Sequence, residues 1–113
     1  MRIVCEEPGF DGAFIDIDTA RWTRRDVEVL VRGATTDAWF AVLRRKITAV
    51  SLPALEGEPV TTPDQITSEA MDRLDHVLWN WFVAAVTSAG RELISLGNAP
   101  WRRLSPTPEA NAA

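Results

Sequence analysis

His76 is the one histidine in the chain and the one side chain whose ordinary pKa lies near neutrality. It stands in Asp72-Arg73-Leu74-Asp75-His76. On a helix, Asp72 and His76 are four residues apart and share a face, so the carboxylate could orient the imidazole. A transition-metal site needs further nitrogen or sulfur ligands, and there is no second His and a single Cys, Cys5. A surface carboxylate–imidazole pair is therefore expected. Ser51, Ser68, Ser88 and Ser95 lack the sharp strand–turn–helix context of a nucleophile, and Cys5 has no neighbouring His. Gly9 and Gly12 are too few, and too mixed with acids, to cradle a phosphate. Glu6, Glu7, Asp11, Asp16 and Asp18 alternate wrongly for a calcium loop and read as a solvated charged face. No catalytic residue, no metal ligand and no cofactor is expected.

The aromatic residues carry the remaining signal. The chain has five Trp and no Tyr. Each Trp can bury on the order of 200 Å² and seeks a partner for its indole N–H. Five in so short a chain must pack a core or arm an interface. On one helix Trp79 and Trp81 point about 200° apart. Trp81 and Phe82 fit the main apolar stripe of their segment, and Trp79 falls off it. Either a second layer such as the N-terminal hairpin covers Trp79, or Trp79 is an exposed anchor for a partner. Trp101, followed by Arg102 and Arg103 beyond the expected helix end, is a second candidate anchor. Trp79, Trp101, Arg102 and Arg103 are the candidate partner-binding residues.

Length and charge bound the classes that remain. A chain of 113 residues fits one domain with a real core. The net charge of −4 argues against nucleic acid as a partner. Basic residues cluster at Arg24–Arg25, Arg44–Arg45–Lys46 and Arg102–Arg103, each short enough for a solvated helix face. Cys5 sits among apolar residues and reads as a small core hydrophobe, with nothing to suggest an oxidising compartment. Met1-Arg2-Ile3-Val4 runs directly into Glu6-Glu7, which is no signal peptide, and no apolar run approaches the ~18 residues of a membrane span. A cytoplasmic protein without a membrane partner is expected.

The elements that must position these residues follow from period and punctuation. Arg2–Glu6 is extended, and Ala13–Asp18 alternates with period two around the turn-rich Glu7–Gly12, so residues 2–18 read as a β-hairpin. A lone hairpin is marginal in water and must lean on helices. Thr23 and Asp26 have capping-box spacing, and Trp22 and Val27 that of a hydrophobic staple. This first helix, with Val27, Leu30 and Val31 apolar, ends at Gly33. A second starts at Thr35 or Thr36, and Trp39, Val42, Leu43, Ile47 and Val50 continue it at helical spacing toward Pro53. Residues 51–67 hold three prolines and read as a loop, or at most a short hairpin around Glu56-Gly57. Helical pattern resumes near Ser68, and Leu74, Leu78, Trp81, Phe82, Ala85, Ala89, Leu93 and Leu96 predict the longest helix, ending at Gly97. Gly90 inside it predicts a kink or a close helix contact. The small, polar, Pro-rich residues 105–113 read as a flexible tail. The expectation is α+β, mainly helical: a hairpin packed on a small bundle of about three helices, in one domain over residues 1–104.

In its order of parts the chain resembles the small tail assembly chaperones of long-tailed bacteriophages. The features that carry the resemblance are the hairpin and two short helices, then Trp39-Phe40-Ala41-Val42-Leu43-Arg44-Arg45-Lys46-Ile47-Thr48-Ala49-Val50. The loop with Gly57-Glu58-Pro59-Val60 follows, and Leu74-Asp75-His76-Val77-Leu78-Trp79-Asn80-Trp81-Phe82 opens the last helix. The likeness covers about residues 1–97. It implies a non-enzymatic function in virion assembly, in the cytoplasm of a host cell. The partner would be a phage tape-measure protein, whose apolar helices are kept soluble until tube subunits polymerise around it. A homo-oligomer is compatible with this. The alternative is another small phage or prophage structural protein, such as a head–tail connector or tail completion protein.

Overall fold

The structure is a computed structural model; it describes residues 1–104, and side chains through residue 94. The expected tail at 105–113 lies outside the described residues. The fold is α+β, roughly half helical, with a three-stranded antiparallel sheet near the N-terminus. Strands β1 (Arg2–Val4) and β2 (Phe14–Ile17) form the expected hairpin, with Ile3 opposite Ile15. Its turn is held by Phe10 N–H to Glu7 O and Ala13 N–H to Phe10 O. Alternation sends Ile15 and Ile17 into the core and leaves Asp16 on the outer face, where Arg2 pairs with it at 2.8 Å.

Helix α1 (Arg24–Arg32) starts where expected: Thr23 Oγ1 accepts the Asp26 N–H at 3.0 Å. Gly33 ends it, but the left-handed residue in the following turn is Thr35, at φ 68°. Thr36 caps α2 (Asp37–Lys46), accepting the Trp39 N–H at 3.2 Å.

The second helix was expected to run on through Val50. Instead it stops at Lys46, and β3 (Ile47–Ser51) follows without a loop, completing the sheet in the order β1-β2-β3. The cause of the misreading is local. Opposite Asp16 and Ile17 the pairing slips by one residue, matching Ala49 with Asp16 and Ile47 with Ile17. This irregularity lets Ile47 and Val50, three apart, both be buried. An apolar i, i+3 spacing is what a helix gives too.

The segment after β3 is more ordered than a plain loop. Leu52 and Val60 exchange both backbone hydrogen bonds across the expected Glu56-Gly57 turn, and both are buried. A 3₁₀ turn, Pro63–Gln65, is fixed by Gln65 Oε1, which accepts from the Thr61 and Thr62 amides at 2.7 and 3.1 Å. The helical pattern from Ser68 is not one helix. Helix α3 (Ser68–Met71) ends after one turn, and Asp75 Oδ1 accepts the Val77 N–H at 2.8 Å to start α4 (His76–Leu104). A short polar side chain that bonds the backbone two residues on favours such a break. Helix α4 does not stop at Gly97 but continues to Leu104, so positions 101–103 lie on the helix and not past its end.

The core lies between the inner sheet face, α1, α2 and α4. Its largest fully buried side chains include Trp39, Phe82, Ile15, Ile17, Leu30, Leu43 and Leu78. Where α1 crosses α4, Gly90 meets Leu30 and Val31, the close helix contact its position predicted. No described helix is long and apolar enough to cross a membrane.

Candidate partner-binding surface

Trp79 is half-buried and belongs to an aromatic cluster. Its ring stacks on Phe82 with centroids 5.9 Å apart and meets Trp39 edge-on at 6.1 Å. Trp39 is fully buried, lies 6.1 Å from Phe82, and donates its indole N–H to Leu30 O at 3.2 Å. The layer that covers Trp79 is thus α2, not the hairpin. The open side of Trp79 faces a cleft of about 390 Å³, shared with Thr35, Phe40, Met71 and His76.

That cleft is also lined by Asp72 and Ser68, so Ser, His and Asp side chains border one cleft. They form no hydrogen bond to one another. The Asp72–His76 pair expected of a continuous helix is absent because the break at 72–75 separates them; His76 Nε2 instead lies 3.3 Å from Asn80 Nδ2.

Trp101, Arg102 and Arg103 are on α4 with Trp79, but their side chains lie outside the described ones. Position 101 is twenty-two residues after Trp79, about 33 Å along the helix at ~1.5 Å per residue. Trp81, expected in the core stripe, is half-buried beside Glu7 and Val77 at the hairpin end of α4.

The central basic cluster is not a free patch. Arg44 donates to Ile66 O at 2.9 Å, Arg45 pairs with Asp26 at 3.0 Å, and Lys46 donates to Arg21 O at 2.9 Å. Each cation joins the end of α2 to a different neighbour. The Arg45 hydrogen bond holds the Asp26 carboxyl below its ordinary pKa, against a smaller opposing effect of burial.

One surface was missed from sequence. Val27 and Val31 of α1 and Leu93 and Ile94 of α4 line a groove of about 540 Å³, rimmed by Arg24, Glu28 and Arg32. It adjoins a second cleft, of about 370 Å³, where Trp22 meets Val27 and Leu93. Ile94 is 45% exposed. The signal was present: Val27, Leu30 and Val31 make an apolar face too broad for Leu30 alone to bury. No family model, curated protein or solved structure matches the chain.

Proposed function

We propose that this chain is a non-enzymatic, protein-binding assembly factor that shields an apolar helix of a larger partner, as a tail assembly chaperone shields a tape-measure protein. The observation that supports it best is the groove between α1 and α4. An amphipathic helix docks by placing apolar anchors at i, i+3, i+4 and i+7 into such a trough. Val27, Val31, Leu93 and Ile94 give an apolar floor, and Arg24, Glu28 and Arg32 give a charged rim of both signs. Position 101 lies seven residues beyond Ile94, two helical turns on, so α4 prolongs the line of the groove.

The test is co-expression with the candidate tape-measure protein. The expected result is that the client stays in solution and co-purifies with the wild-type chain, and precipitates when a chain carrying Ile94→Glu, at an exposed position of the groove, replaces it. A client that is equally insoluble with and without the chain overturns the reading.

A further inference from the structure

We infer that the free edge of β1 pairs with the β1 edge of a second copy of this chain, joining two three-stranded sheets into one of six strands about a two-fold axis at Val4. The backbone register carries the first part of the argument. Met1 and Ile17 exchange hydrogen bonds in both directions, and Cys5 N–H donates to Ala13 O. In an antiparallel ladder the bonded residues alternate, so the odd positions 1, 3 and 5 face β2. The N–H and C=O groups of Arg2 and Val4 therefore point away from the sheet. Among the described residues none pairs with the outward groups of Arg2 and Val4. The opposite edge of the sheet is partly occupied, since Leu52 on that side is taken by Val60.

Charge complementarity identifies the occupant. In an antiparallel pair centred on Val4, the residue numbers of opposed positions sum to eight. Val4 then meets Val4 of the second copy, and Arg2 meets Glu6 on either side of it. Both flanking pairs join opposite charges, which is the favourable cross-strand arrangement. The edge is thus complementary to itself, as an isologous contact must be. Arg2 already pairs with Asp16 across the hairpin, which holds its guanidinium on the outer face where a second carboxylate would approach.

Apolar exposure on both sides of the edge points the same way. Val4 is 51% exposed in the middle of the strand. Beyond the strand, Glu7 opens onto a cleft of about 360 Å³ floored by Val77, Trp81 and Ala84 of α4, and Val77 is 45% exposed. A lone three-residue edge strand would hold a partner poorly. The cleft next to Glu7 gives a second copy apolar side chains to cover as well as backbone.

Sedimentation of the purified chain from about 10 µM to 1 mM tests this. The expected result is a monomer–dimer equilibrium. Val4→Pro removes the central outward N–H, which the edge of a sheet tolerates, and should leave a folded monomer. Glu6→Lys opposes Arg2 with a like charge in both flanking pairs and should weaken the dimer about tenfold. Hydrogen exchange of the wild-type chain gives a readout that needs no variant: the Val4 amide should become protected as concentration rises. A chain that stays monomeric throughout overturns the inference. So does a dimer that survives Val4→Pro, or one whose Val4 amide exchanges freely at every concentration.

Discussion

A Cβ placed on Gly90 would stand 2.9 Å from Val31 Cγ2, with Leu30 Cδ2 at 3.3 Å. The glycine in the middle of α4 is thus what lets α1 approach. Gly90→Ala gains about 1 kcal/mol of helix propensity. Pushing Val31 and Leu30 aside costs ~1–3 kcal/mol. The expected net effect is a loss of about 1 kcal/mol, a melting point lower by roughly 5 °C. Val31→Ala removes the obstructing methyl, so the double variant should be more stable than the two single losses predict when added. Thermal melts of the four proteins measure that coupling, and strict additivity would show that the helices do not meet at Gly90.

Trp79→Ala should behave as a core truncation. The ring stacks on Phe82 and abuts Trp39, so its removal opens a cavity beside the most buried aromatic residues. The expected cost is about 3 kcal/mol. Trp79→Phe retains the stack and should recover more than half of it. Chemical denaturation of both variants decides this. A Trp79→Ala protein as stable as wild type would return Trp79 to the list of exposed anchors.

The hairpin and both threonine caps were legible in the sequence because each depends on neighbours in the chain, whereas Gly90 signalled its contact only as a glycine that a helix interior disfavours. Period two across Ala13–Asp18 and the Thr23–Asp26 spacing need no tertiary context. The third strand was hidden by a pairing irregularity that gives Ile47 and Val50 a helical spacing. The break before His76 was hidden because Asp75 reads equally well inside a helix or as its cap. The candidate site was less legible. A tryptophan off the main stripe looks exposed when one helix is considered alone, and only the arrival of Trp39 from α2 shows otherwise. Conversely, Ile94 lies off the predicted stripe of its helix, and only the neighbouring α1 makes it part of a groove.

Asp26 and Arg45 supply a pH-dependent contribution to the contact between α1 and α2. The Asp26 carboxyl is held below its ordinary value chiefly by the Arg45 hydrogen bond. Its folded pKa is thus lower than its unfolded one, near ~3.9. The stability it contributes is fully present above the unfolded value and is lost as pH falls through the folded one. Arg45 is more than half exposed, so the contribution is about 0.5 kcal/mol. Asp26→Asn should therefore cost that much at pH 7 and almost nothing at pH 2. Urea titrations at the two pH values test it, and an equal cost at both would assign the effect to packing.

Ile94→Ser should separate binding from folding. Ile94 is 45% exposed at the edge of the groove, so its loss removes little buried surface from the folded chain. Substitutions of this kind on a surface change stability by about 0.5 kcal/mol or less. In a docked helix the same side chain would be covered and would count as an anchor, worth ~2 kcal/mol, or roughly thirtyfold in affinity. Leu78→Ala is the control. Leu78 is fully buried, so its truncation should cost about 3 kcal/mol of stability and leave the affinity of the folded fraction unchanged. Titration of each variant against the soluble client segment, paired with a melt of each, gives both numbers. Should Ile94→Ser bind as tightly as wild type while Trp79→Ala binds weakly, the client sits in the cleft beside Trp79 and not between α1 and α4.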